Sequence, residues 1–290
     1  MLLVQIYGDR VVDQMLLDQE KIIRLGFFFG VFILVALWEL VLPRRALTVS
    51  KPGRWGANLG IVVLNTLLLR LLFPTAAVGL AMLGEARGWG LFNNFSLPPL
   101  LSVIVSVVLL DFVIYIQHVL FHAVPVLWRL HRVHHSDLDY DVTTGSRFHP
   151  IEIILSMFIK LAAVSVLGAP VIAVLIFEVL LNATAMFNHG NIYIPEGVDR
   201  LLRLLVVTPD MHRVHHSVHV NLTNSNFGFN LPWWDRLMGT YIAQPPGGHL
   251  EMAIGLKECC DQKQVSTMSG MLMLPFVRQL GAQTINRRGL

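Results

Sequence analysis

The pentapeptide HRVHH occurs twice in this chain, at residues 131–135 and again, letter for letter, at 212–216. The first copy closes a stretch, His118 to His135, that reads HVLFHAVPVLWRLHRVHH and holds five histidines in eighteen residues. Histidines three or four apart share one face of an α-helix, so within each group the imidazoles converge. Neutral imidazole is the commonest protein ligand for a transition metal. Ordinary surface histidines are the plain alternative, but clustered imidazoles without a metal would repel one another on protonation and serve no packing purpose. The fold must therefore carry several helical segments to one point.

Those segments lie among long apolar runs. The chain of 290 residues is 54% hydrophobic and only 14% charged, where a soluble domain carries about 25% charged residues. An all-α, multi-span membrane bundle is the fold class this predicts. The net charge of +3 comes from scattered basic residues with no nucleic-acid motif, so nucleic acid is not an expected partner. Basic loops beside membrane spans account for it better.

Residues 1–24 read as an amphipathic N-terminal segment with no secretory signal. Residues 25–97 read as membrane-spanning helices. Within them, 25–43 contain one charge, Glu39, and are long enough to span. Arg44, Arg45, Lys51 and Arg54 follow with no acid among them, which puts the end of this span on the cytoplasmic side and the N-terminus outside. The run 56–84 is interrupted by Arg70 and Pro74, as one kinked span or as a span plus an interfacial piece. Residues 85–97 should form an outer loop. Residues 98–250 read as the histidine-bearing domain. Its first run, 98–117, returns to the cytoplasmic side and ends at His118. A membrane hairpin follows at 151–187, broken at Gly168-Ala169-Pro170, with both ends cytoplasmic. Residues 251–290 read as a peripheral tail. Cys259 and Cys260 are adjacent, so no strain-free disulfide joins them, and reduced thiols are expected.

Asp111 sits at membrane depth, where an unpaired carboxylate costs at least ~2.5 kcal/mol. On a helix Asp111, Tyr115, His118 and His122 fall within a roughly 60° arc. Asp111 and Tyr115 are thus placed to orient ligating rings. Every histidine group falls at the same end of the spans, as one shared site requires. Eight or nine histidines exceed the four ligands of one tetrahedral ion and suit two metals. Imidazole accepts zinc, copper, iron or nickel, so ligand type alone leaves the metal open.

HVLFH, HRVHH, RFHPIE, FNHGN, and above all TPDMHRVHHS followed by NFG and WWDRLMGTY, resemble the fatty acid hydroxylase/sterol desaturase superfamily over residues 100–245. The resemblance implies a di-iron oxygenase at the cytoplasmic membrane face. Matched motif by motif, it implies as ligands His118, His122, His131, His134, His135, His189, His212, His215 and His216. Some fatty acid hydroxylases of the group carry a further histidine where this chain has Ala185, so nine histidines and solvent in a remaining position are expected. His149 lies in RFHPIE outside the boxes, and is expected to support the site or to start a helix.

Protein acids and bases do not remove hydrogen from an unactivated alkyl C–H, whereas reduced iron with O2 does. The expected activity is hydroxylation or desaturation of a lipid or sterol-like substrate, with cleavage of an ether lipid as an alternative on the same site. With no dinucleotide fingerprint and no recognisable haem or iron–sulfur domain in the chain, electrons must come from an external donor of the ferredoxin or cytochrome-reductase type. The expected membrane is the inner membrane of a bacterium or the endoplasmic reticulum of a eukaryote. A metal-binding or transport protein without redox chemistry is the alternative of another class, but the histidines cluster at one face rather than lining a path across. Bis-histidine haem would need pairs on facing helices rather than HxxHH triplets.

Overall fold

Prolines punctuate the chain. A proline in the first helical turn costs nothing, because its missing N–H would be unpaired there, and Pro52, Pro99, Pro125, Pro150 and Pro209 each open a helix this way. The structure is a computed structural model describing residues 2–95, 97–257, 261, 265–277 and 285, with side chains from Gln19 onward. Its helices are α1 (Leu2–Val41), α2 (Lys51–Leu72), α3 (Ala76–Arg87), α4 (Pro99–Ala123), α5 (Pro125–His135), α6 (Pro150–Leu167) and α7 (Val171–Asn188). Shorter ones follow: α8 (Glu196–Leu202), α9 (Pro209–His215), α10 (Val220–Thr223), α11 (Trp233–Leu237) and α12 (Met268–Met273). Among the described residues there is no strand, only isolated bridges at Pro43–Ile192 and Ser217–Ile254. The fold is all-α as expected.

Among the described residues, five helical segments are long and apolar enough to cross a membrane: Gln19–Val41, Lys51–Asn93, Pro99–Ala123, Pro150–Leu167 and Val171–Asn188. The expected separate segment at 1–24 is continuous with the first of these, since α1 runs unbroken from Leu2. The second divides at Phe73–Thr75 into α2 and α3. α6 and α7 form a helical hairpin, and Gly168 turns it in the left-handed region at φ 61°. Both of its arms pack on α3 and α4. Ala77 and Ala81 of α3, Leu110 and Ile114 of α4, Val164 of α6 and Phe177 of α7 share one buried core. Glu178 of α7 is buried between Lys160 of α6 and Arg24 of α1, which lies 3.0 Å away. A charge at membrane depth needs such partners.

The tail departs from the peripheral expectation. Val265, Met271 and Leu274 are buried with Ala57 and Ile61 of α2 and with Trp128 and Val133 of α5. Arg129 donates to the carbonyl of Pro275, and Arg132 to those of Leu274 and Val277. The described part of the tail thus forms the backing of a histidine-bearing helix. Cys259 and Cys260 lie outside the described residues.

Candidate metal centre

The residue before a proline is driven out of the helical region, and Val124 takes φ −96°, ψ 116° ahead of Pro125. The chain turns there, so α5 folds back on α4 and the two first histidine groups meet. His118 and His131 have ring centroids 4.9 Å apart, and His122 and His135 4.8 Å. Thr208 caps α9 by accepting from the backbone N–H of Met211, which starts the short helix holding His212 and His215. His189 follows the last residue of α7. A close approach seats it: a Cβ on Gly145 would lie 2.4 Å from the Ala185 carbonyl oxygen and 3.2 Å from His189 Nδ1.

Salt bridges and hydrogen bonds pin the loops around these rings. Arg54 of α2 is buried against Asp137, at 2.9 Å, and Asp141. Arg147 donates to the carbonyl of Val133 and to Asn58 and Ser136. The Glu39 carboxylate accepts from the backbone N–H groups of Val142 and Asn191. Arg44 pairs with Asp210, which also pairs with Arg213, and Arg213 donates to the carbonyl of Gly190. Three of the four basic residues after the first span therefore make internal ties, for Arg45 donates to the Met252 carbonyl as well.

All nine histidines of the motif set are buried, and they form two groups. His118, His122, His131, His135 and His215 make one; His134, His189, His212 and His216 make the other; within each, one ring nitrogen per residue lies within 4.8 Å of the rest. In the second group the Nε2 of His189 lies 3.1 Å from that of His134 and 3.2 Å from those of His212 and His216. Imidazole nitrogens sit about 2.0–2.1 Å from a bound zinc, which separates neighbouring ligand atoms by roughly 3.0–3.4 Å. A single proton cannot satisfy that convergence, and a cation can.

The first group shows the same preparation atom by atom. The Nδ1 of His118 donates to the Phe227 carbonyl at 2.8 Å and that of His215 to the Ser225 carbonyl at 2.7 Å. His122 Nδ1 faces Asn224 Oδ1 at 3.2 Å, and His131 Nδ1 faces Glu152 Oε1 at 2.6 Å. The Nε2 atoms of these four residues are buried without a protein partner. A proton fixed on Nδ1 leaves the Nε2 lone pair for a metal. Burial also holds the titrating groups neutral. His131 and His189 are pushed down to about 3, and His134, His135, His212, His215 and His216 well below the ordinary imidazole value. The donor set fits two transition-metal ions.

The supporting residues are not all where the helical arc put them. Asp111 bonds no imidazole; it accepts from the backbone N–H groups of Asn230 and Leu231 at 3.2 Å and from Trp234 Nε1 at 2.8 Å. Its partner is a stretch of non-helical backbone, whose N–H groups offered no letter to read in the sequence. Tyr115 bonds Thr240 at 3.0 Å, Thr240 bonds Asp235, and Asp235 accepts from the backbone of Phe227 and Gly228. It therefore reaches His118 only through the Phe227 segment. His149 starts α6 by accepting from the N–H of Ile151. Glu152 and Asn224, which do touch rings, were not singled out as ring partners by sequence reasoning. The signal for Glu152 was an acid in the first turn of an otherwise apolar helix.

The fatty acid hydroxylase family profile matches residues 103–240, the span that carries every one of these histidines. This region belongs to the fatty acid hydroxylase family. Similar proteins include an ornithine lipid hydroxylase of Rhizobium tropici, 30% identical over 66% of this chain and 53% of the relative. An alkylglycerol monooxygenase of Xenopus tropicalis is 29% identical over 46% and 29% of the two chains. A cholesterol 25-hydroxylase of Rattus norvegicus is 26% identical over 57% and 54%. The chain spans about half the length, or less, of these relatives. No solved structure matches it.

Proposed function

We propose that the chain is a membrane-bound di-iron oxygenase that hydroxylates an alkyl C–H of a lipid or sterol-like substrate at the cytoplasmic face. The observation that carries this reading is the convergence of nine buried histidines into two metal-sized groups at one end of apolar helices. The names of the relatives, all hydroxylases or monooxygenases, support the reaction class. Two irons held by these groups would supply, with O2 and an external electron donor, the oxidation that side chains cannot perform. In the net reaction a C–H becomes C–OH, the second oxygen atom leaves as water, and the donor provides two electrons while solvent provides two protons.

The chain's own residues keep the site dry and the rings aimed. Phe148 stacks on His134 at 4.5 Å, Trp128 lies 4.8 Å from His122, and Phe227 lies 5.1 Å from His122 and 5.4 Å from His215. Desaturation and ether-lipid cleavage are further outcomes open to the same histidines, and product analysis separates them.

The test is anaerobic purification with iron supplied, then metal analysis and lipid product analysis on the parent, His134→Ala and His215→Ala. The expected result is two metals in the parent, loss of metal from the affected group in each variant, no oxygenated lipid from either, and unchanged helical circular dichroism. Full activity and metal in both variants would overturn the oxygenase reading. Unfolding of both would instead make the groups structural staples.

A further inference from the structure

Two short helices outside the spans present apolar side chains to the exterior. Leu201 of α8 is 67% exposed, Leu205 just beyond it 67%, and Leu237 of α11 71%. They are contiguous, because Trp233 Nε1 donates to the Leu204 carbonyl at 2.7 Å and Arg236 donates to the Arg203 carbonyl at 3.0 Å. On α8, at roughly 100° per residue, Val198 and Leu201 lie opposite Glu196 and Arg200. The latter two form an exposed ion pair at 3.0 Å.

The depth of this surface follows from α4. Asp111 grips Asn230, Leu231 and Trp234, so α11 is held beside that level of the helix. Asp111 is twelve residues from Pro99 and seven from His118, which is about 18 Å and about 10 Å along the axis. A hydrocarbon core is about 30 Å thick. A span beginning at Pro99 thus brings Asp111, and α11 with it, inside the hydrocarbon. Non-helical backbone at that depth is tolerated only where protein satisfies it, and the Asp111 carboxylate supplies that for residues 230 and 231. α8 joins the same belt, since Trp233 and Arg236 of α11 donate to the carbonyls of Leu204 and Arg203 just beyond α8.

We propose that the α8–α11 surface, centred on Leu205, Trp233 and Leu237, sits in the acyl-chain region of the leaflet nearest the histidines. Its occupant is lipid hydrocarbon, with Arg200 at the water boundary. This holds whatever the reaction, since it rests on the α4 geometry and not on the metals.

Single-cysteine variants Leu205→Cys, Leu237→Cys, Arg200→Cys and, as a span control, Ile104→Cys, made in a Cys259→Ser/Cys260→Ser background, are nitroxide-labelled and placed in lipid nanodiscs. The expected result is that labels at 205 and 237 collide with oxygen as strongly as the label at 104, while the label at 200 collides with a water-soluble nickel chelate. Collision of 205 and 237 with the nickel chelate would put the surface in water and overturn the proposal. Protection from both reagents would overturn it too, in favour of a protein covering. If labelling disturbs the fold, brominated acyl chains serve instead on the unlabelled protein. Trp233→Phe should then remove a quenched component of the emission, and removal of an unquenched one refutes the proposal.

Discussion

Glu152 is the only carboxylate that touches a histidine of either group among the described residues, and it lies in the first turn of α6 against His131. Its oxygen, 2.6 Å from His131 Nδ1, fixes which ring nitrogen faces the group. Loss of such a partner costs about 10–100-fold in metal affinity or activity. Glu152→Ala should fall in that range. Glu152→Gln, which keeps an accepting oxygen, should lose less. Metal content by titration, beside product formation, reads both, and equal metal affinity in all three proteins would remove Glu152 from the site. Gly145→Ala should also weaken metal binding, specifically at the group containing His189, because the added carbon meets Ala185 and the ring. The nine histidines themselves were legible because their spacing is a pattern of letters. Their partners were less so: His118, His189 and His215 are held by backbone carbonyls of Phe227, Ala185 and Ser225, and a carbonyl has no letter.

Elements show the same division. Apolar runs and prolines announce where α4, α6 and α7 begin to within a residue, because lipid and helix-start chemistry act locally, although α4 runs six residues past its apolar run to Ala123. What holds the elements together acts across the sequence and is harder to read. The basic run after the first span reads as a topology signal, yet Arg54 is a tie buried against Asp137 and Asp141. Breaking a buried pair leaves uncompensated charge and costs about 3–5 kcal/mol. Arg54→Ala should therefore unfold the 137–144 loop, measured as a lower thermal midpoint with loss of bound metal. Asp111→Asn should act on a different element. It removes a charged acceptor from the N–H groups of residues 230, 231 and 234, so the α11 region should become protease-sensitive, at a cost of about 1–3 kcal/mol, while metal affinity changes little. Metal loss in Asp111→Asn without loosening of α11 would restore the ring-orienting role expected from the helical arc.

At the scale of the whole molecule the bundle has two ends, and the histidines gather at one of them. The structure brings the three histidine boxes and His189 into one site, so the ends of α4 and α7 that carry His118, His122 and His189 share a side. The opposite ends meet at the turn between α6 and α7, where a Cβ on Gly90 would lie 2.1 Å from the backbone nitrogen of Gly168. That contact ties the loop after α3 to the hairpin tip, away from the histidines. Residues on these two ends must label from opposite sides if the spans cross. Arg87, Asn221 and Glu251 are exposed and serve as reporters. With a membrane-impermeant thiol reagent on intact cells, Arg87→Cys should react in a cysteine-free background, while Asn221→Cys and Glu251→Cys should react only after the membrane is opened. Asn221 and Glu251 labelling from opposite faces would break the single-site architecture. All three reporters reversed would keep the site and turn the protein over. Electrons from a cytoplasmic donor could not then reach the histidine end, and the proposed reaction would need a donor on the other side of the membrane.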